Sequence, residues 1–584
     1  MYRKYLPLLL AAVIALVSMA AMPARHAGKP YTIMIYMNGS DLESEFGAAT
    51  DDLVEMLESG LDSRNANVLI LTGGAKRWMN DAIPETEVII WELADGFLNE
   101  LESMGKVNMG HPDTLRDFIE FGLDYYPARR YGLIMWDHGG GSIAGFGHDE
   151  KFNDASLSLL DMQKAFEESG LRKTKLEFLG FDACLMATVE MAVLAADYAH
   201  VMIASEDLEP GDGWDYVFLG ALNKNPHMDG FALGKIITDT FMDFYGPNSD
   251  EILSLSVVDL SRVKPVMNTM GRLMARTEPN ASRATFRDLA TRRANTKTFG
   301  EGSPRDNYAD MVDIGDMAIQ LMELYPKEAV SVLKALSNCV TYNRHNSDVE
   351  LYGLSTFYIY GGKSQGEPSL EIYSDLDMDS RYTEYLHHFF DGLRHSRRHR
   401  SSTSSADIDY LRTELALWRP VDEGKNIYRM TGLLQTAVKE DLLWPQLCGH
   451  PVVLYPVAAT ANIRQYAVPA MVNGRDADLI VTFSKPYPEG KVVGIRHNSG
   501  NVIQKGYDPI NPSDKIALYY PERNFTTGTE SWHKGETFSV PTSAWEANSE
   551  SSEVLLLHWD SASQHKLGFR HTDYCGDVFY TMLN

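Results

Sequence analysis

Cysteine is scarce in this chain, which contains only four among 584 residues. So few cysteines exclude a disulfide scaffold in a protein of this size. Cys448 and Cys575 fall in the same C-terminal region and are candidates for a pair, whereas Cys184 and Cys339 have no obvious partner. In an exported protein an unpaired cysteine needs an explanation, and a reactive thiol is one.

Positive charge is also in short supply. The chain has 53 Lys and Arg against 80 Asp and Glu, a formal net charge of −27. This balance argues against nucleic acid or an anionic membrane surface as the main partner. It is typical of a soluble protein that works outside a cell, and it would also attract basic substrates. The sequence predicts no oligomeric state.

Long apolar runs are absent except at the N-terminus. A short basic head, Met1-Tyr-Arg-Lys-Tyr5, precedes an apolar segment from Leu6 to Ala21, and small residues follow. This layout is typical of a secretory signal peptide, which we assign to residues 1–24. The run is shorter than the ~20 residues needed to cross a bilayer. We therefore expect an exported protein, extracellular or periplasmic, without a membrane span.

From residue 30 to 393, short β-rich runs alternate with helical patterns. Alternation of this kind predicts an α/β domain with a mostly parallel sheet flanked by helices. The predicted strands are Tyr31–Met37, Asn67–Thr72, Glu87–Trp91, Gly132–Trp136, Leu176–Phe181, Val201–Ser205, Leu253–Val258 and Gly353–Tyr360. The predicted helices include Asp51–Leu57, Asp161–Glu167 and Met186–Tyr198.

The composition changes at Arg394. Residues 394–406 are basic and then Ser-rich, with almost no apolar content, and are interpreted as an exposed linker. From residue 407 to 584 the helical patterns fade. Apolar runs such as Pro451–Tyr455, Asp478–Phe483 and Ser552–His558 are separated by Pro, Gly and Asn. This pattern favours a β-rich, sandwich-like accessory domain.

Two predicted strands end in residues that carry chemistry. The run Leu133-Ile-Met-Trp-Asp-His-Gly-Gly-Gly141 stops at His138, and the run ending at Phe181 stops at Asp182-Ala-Cys184. The carboxyl ends of parallel strands meet at one sheet edge, where binding crevices form. If the two strands are neighbours, imidazole and thiol face the same substrate, and His138 can protonate a leaving amine while Cys184 attacks.

The residues around this pair suit acyl transfer. Gly139 has no Cβ, so its N–H can approach a substrate carbonyl closely, and with the N–H of Cys184 it could form an oxyanion hole. The helix expected after Met186 would lower the pKa of Cys184 by favouring the thiolate. Taken singly, a buried cysteine and a strand-capping histidine are ordinary structural features. Together they favour a catalytic pair.

With these motifs the chain resembles the clostripain family of cysteine peptidases, which belongs to the caspase-like clan that includes gingipains and legumain. The resemblance covers about residues 31–393. It is carried by His138-Gly139 and Ala183-Cys184 and by four ordered blocks: Tyr31–Glu43, Trp136–Gly141, Phe181–Ala187 and Ala204–Trp214. It implies a caspase-like fold, a His138–Cys184 dyad, and protein or peptide substrates cut after Arg or Lys.

A pocket for a basic side chain needs a carboxylate beside the nucleophile. Asp182, two residues before Cys184, matches the family pattern. Asp212, on a Gly-flanked loop after the next strand, is a second candidate, although it could equally be a plain turn residue. Glu206 and Asp207 are less well supported.

Members of the family are often zymogens that cut themselves between the His and Cys strands. Lys151 lies there, in a polar stretch, and we predict self-cleavage between Lys151 and Phe152. Arg172, Lys173 and Lys175 are alternatives. The basic segment from Arg394 would be another target.

Competing interpretations are weaker. An esterase requires a Gly-x-Ser-x-Gly elbow that opens a helix; Gly362–Gly366 fits the motif, but we expect no helix after it. His138 and His148 lack the spacing of zinc ligands. We expect no metal to be required. Calcium could bind to the acidic cluster of Asp51 and Asp52 or to that of Asp310, Asp313 and Asp316, but a solvated acidic surface explains both clusters equally well. The last alternative is a non-catalytic secreted binding or adhesion protein whose β-rich region does the work.

Overall fold

A computed structural model describes residues 28–246, 249, 252–305, 309–360, 366–400, 410–434, 443–497, 504–541, 545–547, 553–561 and 565–583. The signal peptide predicted at residues 1–24 and the linker residues 401–406 lie outside the described residues, as does Ser364 of the esterase motif.

The N-terminal region is built on one large sheet. Its strands, together with those of two small sheets, are β1 Lys29–Asn38, β2 Ala66–Gly73, β3 Val88–Ala94, β4 Phe97–Gly105, β5 Ala128–Trp136, β6 Phe146–Asp149, β7 Ala155–Leu157, β8 Leu176–Asp182, β9 Ala199–Ala204, β10 Ser254–Asp259, β11 Thr298–Phe299, β12 Met311–Asp313, β13 Val340–His345 and β14 Ser355–Phe357. In the described part of the chain, the large sheet has nine strands in the order β13-β10-β9-β8-β5-β1-β2-β3-β4.

The five central strands of this sheet, β9, β8, β5, β1 and β2, run parallel. Two antiparallel strands close each edge. The central strands are almost wholly buried because helices cover both faces, which explains why they consist of continuous apolar runs. The predicted α/β class is therefore confirmed.

The helices pack on both faces of the sheet, where two separate apolar cores form. They are α1 Ser40–Phe46, α2 Ala48–Glu58, α3 Pro112–Tyr125, α4 Gly141–Ala144, α5 Leu159–Glu168, α6 Val189–Ala195, α7 Ala221–Lys224, α8 Gly230–Tyr245, α9 Val263–Met274, α10 Arg283–Asn295, α11 Ile314–Leu321, α12 Pro326–Cys339, α13 Gly366–Asp375 and α14 Ser380–Arg400. No helix among the described residues is both long and apolar enough to cross a membrane.

The C-terminal region is β-rich, as predicted. Its strands are β15 Tyr410–Asp422, β16 Ile427–Leu434, β17 Leu443–Leu447, β18 His450–Pro451, β19 Tyr455–Ala459, β20 Ile463–Val472, β21 Arg475–Ser484, β22 Lys491–His497, β23 Lys515–Asn524, β24 Glu530–Lys534, β25 Phe538–Ser539, β26 Trp545–Ala547, β27 Glu553–Leu556, β28 His558–Ser561, β29 Lys566–Asp573 and β30 Val578–Met582. Neighbouring strands are antiparallel, as in β20 and β21, and they enclose a third apolar core.

Three local expectations differ from the structure. Residues 394–400, the first part of the predicted exposed linker, continue helix α14. The strand expected over Gly353–Tyr360 is only β14, and it joins a small separate sheet. Helix α13 begins at Gly366, so our expectation of no helix after the esterase motif was wrong; Glu and Pro are well tolerated in a first helical turn.

Cys448 and Cys575 do not form a disulfide in this structure. The reason is their placement in different cores. Cys575 and the neighbouring Tyr574 pack into a core of the N-terminal region, whereas Cys448 packs against the core of the C-terminal region. The same placement shows that the segment around Tyr574 and Cys575 packs on the α/β region.

Candidate functional site

His138 and Cys184 follow the adjacent parallel strands β5 and β8. Trp136 and Asp182 are register partners at the ends of these strands, and the Asp137 N–H donates to the Asp182 carbonyl at 3.4 Å. Neighbouring strands lie ~4.8 Å apart, so both side chains reach one crevice at the sheet edge. Both are buried. The structure therefore brings the two predicted residues together.

Asp137 organises the histidine side of the crevice. Its carboxylate accepts hydrogen bonds from Asn38 Nδ2 at 2.6 Å and Ser40 Oγ at 2.7 Å, which ties the end of β1 to the end of β5. It also accepts from the backbone N–H groups of His138 at 2.6 Å and His148 at 2.8 Å. A fully buried carboxylate with four donors is a rigid support, and it positions His138 through the backbone.

Asp41 orients the imidazole of His138. His138 Nε2 lies 2.8 Å from Asp41 Oδ1, and His148 Nε2 lies 3.1 Å from the same oxygen. The two imidazoles stack with ring centroids 5.0 Å apart. Burial alone would raise the pKa of Asp41, but the two histidines hold it well below its usual value. Burial would lower the pKa of His148, but Asp41 and Asp137 raise it to about 9.

The backbone around Cys184 is tightly constrained. Leu185 has a φ of 63°, a left-handed conformation that is rare for a leucine, and its N–H donates to the Asp207 carbonyl at 3.1 Å. Such strain persists only where the surroundings enforce it, and it concentrates at functional sites. Gly139 packs directly on this turn: a Cβ on Gly139 would lie 1.9 Å from the Cys184 carbonyl oxygen.

The surroundings of Cys184 disfavour its thiolate. Burial raises its pKa to about 12, and the hydrogen bond that Sγ accepts from the Glu209 N–H at 3.1 Å does not compensate. We expected the following helix to lower this pKa, which was wrong. Helix α6 starts only at Val189 and is capped by Thr188, so its N-terminus does not reach the sulfur.

Asp182 is completely buried and pairs with a cation, and the buried space that this cation fills is here called the pocket. The ammonium of Lys505, from the C-terminal region, forms an ion pair with Asp182 Oδ1 and donates to the Asp182 carbonyl at 3.1 Å. Asp182 Oδ2 accepts from the Tyr216 hydroxyl at 3.0 Å. The ring of Trp136 forms a wall, with its centroid 5.5 Å from Lys505 Nζ. Asp182, two residues before Cys184, is therefore a buried carboxylate paired with an ammonium, and its role toward a substrate stays a prediction.

Glu209 supplies a second carboxylate beside Lys505. Its Oε2 lies 3.7 Å from Lys505 Nζ, which is within ion-pair distance but too long for a hydrogen bond. Burial raises the pKa of Glu209 well above its usual value, against the opposing charge of Lys505. Burial alone would lower the pKa of Lys505, but Asp182 and Glu209 raise it. The pocket is therefore built for a positive charge.

The other sequence candidates have different surroundings. The turn that carries Asp212 packs against the ion pair, because a Cβ on Gly213 would lie 2.7 Å from Asp182 Oδ1 and 2.9 Å from Lys505 Nζ. Asp212 is exposed on the turn after Pro210. Glu206 accepts from the Gly353 N–H at 2.7 Å, and Asp207 lies 3.6 Å from Lys297 Nζ. Lys151 lies in the turn between β6 and β7, where its ammonium donates to the Glu85 carbonyl at 2.6 Å.

Several acidic residues considered for calcium have partners within the protein. Trp136 donates to Asp52 at 2.5 Å, Asp310 pairs with Arg293 at 3.4 Å, and Asp313 caps helix α11. Among the described residues, one group brings potential ligand atoms within 4.8 Å of one another, namely Asp41, His138 and His148. Two imidazoles and one carboxylate suit zinc better than calcium, which prefers oxygen ligands.

Sequence reasoning missed five residues of this site: Asp41, Asp137, His148, Glu209 and Lys505. Asp41 and Glu209 lie inside blocks that carry the family resemblance, so the sequence marked their segments but indicated no role for either residue. For Asp137 and His148, the only indication in the sequence was that they lie close to His138 in the chain. Lys505 had no signal, because it lies 323 positions from Asp182 in the chain.

Comparison with known proteins adds three findings. The model of the clostripain family, peptidase C11, matches residues 35–394. Clostripain of Hathewaya histolytica is 26% identical over 232 residues, which are 33% of this chain and 42% of that protein. The chain thus spans less than half of the curated relative it matches.

Two solved structures share 18% and 20% sequence identity with this chain. A secreted C11 cysteine protease from Bacteroides thetaiotaomicron has a TM-score of 0.46 over 57% of this chain and 94% of its own. An inactive zymogen C11 protease from Parabacteroides distasonis also has a TM-score of 0.46, over 60% of this chain and 99% of its own.

The contact between Gly139 and Cys184 yields a testable prediction. Gly139→Ala places a methyl group within bonding distance of the Cys184 carbonyl, so the backbone must shift, and we expect a loss of about 1–3 kcal/mol in the free energy of unfolding. Gly28→Ala is the matched control, because its Cβ would make only an ordinary contact at 3.5 Å. Denaturant unfolding measures both; equal stability of the two variants would contradict this packing.

Proposed function

Because this chain belongs to the clostripain family, we propose that it is a cysteine endopeptidase that cleaves after Lys or Arg and is made as a zymogen. The observation that carries the proposal is the buried acidic pocket of Asp182 and Glu209 directly beside Cys184 and His138. Its natural occupants would be basic side chains of protein or peptide substrates. The N-terminal segment supports export from the cell as part of the proposal.

The proposed reaction uses His138 and Cys184 in turn. The Cys184 thiol gives its proton to His138, and the resulting thiolate attacks the carbonyl carbon of the substrate residue held by Asp182, while N–H groups of Gly139 and Cys184 stabilise the oxyanion. His138, oriented by Asp41, delivers a proton to the leaving amine as the C–N bond breaks. Water then hydrolyses the acyl–enzyme with His138 as the base.

Calcium remains a proposal for an accessory ion, outside this reaction sequence. The residues named for it from the sequence are largely occupied by contacts within the protein. Activity that survives dialysis against a calcium chelator, and is unchanged by added calcium, would dispose of it.

Small reporter peptides ending in Arg, Lys or Asn test the proposal. After activation, wild type should hydrolyse the Arg and Lys reporters, and Cys184→Ala should lose about three orders of magnitude in kcat/KM or more because the nucleophile is gone. Hydrolysis that survives in Cys184→Ala would remove the proposed nucleophile. Preference for Asn would overturn the role of Asp182, and absence of hydrolysis in every preparation would favour a non-catalytic binding protein.

Glu209 should discriminate Arg from Lys substrates. The lysine ammonium lies 3.7 Å from Glu209 Oε2, too far for a hydrogen bond, whereas the five donors of a guanidinium can engage Asp182 and Glu209 together. Glu209→Gln should therefore lower kcat/KM about tenfold for Arg reporters and less for Lys reporters. Asp212→Asn is the matched control. A larger effect of Asp212→Asn would restore the assignment made from sequence.

The self-cleavage site remains a prediction at Lys151. Purified active protein should contain two chains, the second starting at Phe152, and Lys151→Ala should remain intact. The alternatives Arg172, Lys173 and Lys175 are exposed, whereas Lys151 is half-buried and held by Glu85. N-terminal sequencing decides: a chain starting at Lys173, Thr174 or Leu176 would move the site to that loop.

A further inference from the structure

The segment Gln504–Asp508, here called the Lys505 loop, connects the C-terminal region to the candidate site. Its central side chain, Lys505, is completely buried and is the cation bound by Asp182 and Glu209. The Lys505 N–H donates to His138 Nδ1 at 2.7 Å, and the Gly506 N–H donates to the Glu209 carbonyl at 2.9 Å. One loop thus contacts the pocket, the histidine and the backbone beside the cysteine.

The Lys505 loop is held in shape by its own domain. Asp508 and Ile495 of strand β22 exchange two backbone hydrogen bonds of 2.8 Å. The side chain of Gln504 accepts from the His497 N–H at 2.7 Å and also donates to Asp508. A loop fixed on a strand loses little conformational entropy when its lysine enters the pocket, which favours occupancy.

The C-terminal region docks around the loop at further points. The Ser303 N–H donates to Asp478 at 2.8 Å, and Arg496 donates to the Glu301 carbonyl at 2.9 Å. Away from these, the Asp348 N–H donates to the Ala459 carbonyl at 3.3 Å. Residues of both regions therefore hold the loop at the site, and occupancy of the pocket is coupled to docking of the domain.

The direction of the loop is unsuited to cleavage after Lys505. For that cleavage, His138 would have to protonate the nitrogen of Gly506, which is the leaving amine. Instead the Gly506 N–H donates to Glu209, and the nitrogen that faces His138 is that of Lys505 itself. His138 Nδ1 accepts this bond, so it carries no proton to donate and does not contact the thiol.

We propose that Lys505 is an inhibitory plug: the C-terminal domain inserts it into the substrate pocket in a non-cleavable direction and keeps the enzyme latent until the loop is displaced. This inference rests on the proposed function, since it assigns regulation to the same pocket. Displacement frees Asp182 and Glu209 for a basic substrate residue, frees His138 Nδ1, and opens Cys184 to water. A substrate that must compete with the plug binds more weakly by the fraction of open molecules.

Lys505→Ala in the full chain is the first test, with Lys485→Ala, an exposed lysine of the same domain, as the matched control. Removal of the ammonium leaves buried carboxylates uncompensated, which should open the pocket. We expect iodoacetamide to alkylate Cys184 at least about tenfold faster in Lys505→Ala at neutral pH, because the opened thiol regains its ordinary pKa. Peptide mass spectrometry follows Cys184, with the half-buried Cys448 as internal reference.

Gly506→Ala is a second variant that keeps every charge. Gly506 has a φ of 68°, and its Cβ would lie 2.5 Å from the Gly211 nitrogen, so the loop must move off the site. Gly474→Ala is its control, because Gly474 has a similarly left-handed φ of 89° and nothing within 4 Å of its Cβ. Gly506→Ala should accelerate alkylation of Cys184 and hydrolysis of Lys reporters, whereas Gly474→Ala should change neither.

The outcomes separate the plug from the proposed function. Faster alkylation in Lys505→Ala and Gly506→Ala supports the plug, even if no reporter is hydrolysed, in which case only the proposed function fails. Unchanged alkylation and hydrolysis in both variants overturn the plug, while hydrolysis by wild type would still support the peptidase. A fragment of wild type that begins at Gly506 would show that Lys505 is a cleavage site and would overturn its role as a plug.

Discussion

The buried ion pair between Lys505 and Asp182 is the interaction on which the architecture of the site depends. A charge removed from water is tolerated only when it is paired, and the pocket contains Asp182 and Glu209, with Asp52 behind the ring of Trp136. In this structure a single ammonium compensates them. Because that ammonium belongs to the C-terminal region, compensation of the pocket carboxylates depends on the docking of that region.

The strand ends create the other half of the site. Parallel strands deliver their carboxyl ends to one edge, so His138 and Cys184 meet although 46 positions separate them in the chain. Asp137 then links three segments, namely the ends of β1 and β5 and the β6 strand, through four hydrogen bonds. Asp41 enters from the β1 side and sets the imidazole. The strained Leu185 completes a rigid frame that leaves the thiol as the part still to be activated.

In the proposed mechanism, Cys184 is activated by a change in its exposure to water, while the residues next to it in the chain stay the same. The thiol has its high pKa because burial disfavours the thiolate, not because its backbone position is unsuitable. Exposure of the thiol to water would lower its pKa again, whereas a helix dipole would lower that pKa in both the buried and the exposed state. Helix α6 begins at Val189, five residues after Cys184, so its dipole does not supply the constant activation that would keep the cysteine reactive beneath the proposed plug.

By itself, the sequence determined the alternation of strands and helices, the position of His138 and Cys184 at strand ends, the family, and the carboxylate at Asp182. These features depend on local patterns of apolar residues and on short motifs, which can be recognised without the tertiary structure. The burial of Glu209 beside Lys505, the contacts of Asp41 and Asp137, and the absence of a Cys448–Cys575 pair depended on which side chains fold inward. Lys505 was decided by tertiary structure alone, because an ion pair depends on distance in space, and only the docked C-terminal domain brings this lysine to Asp182.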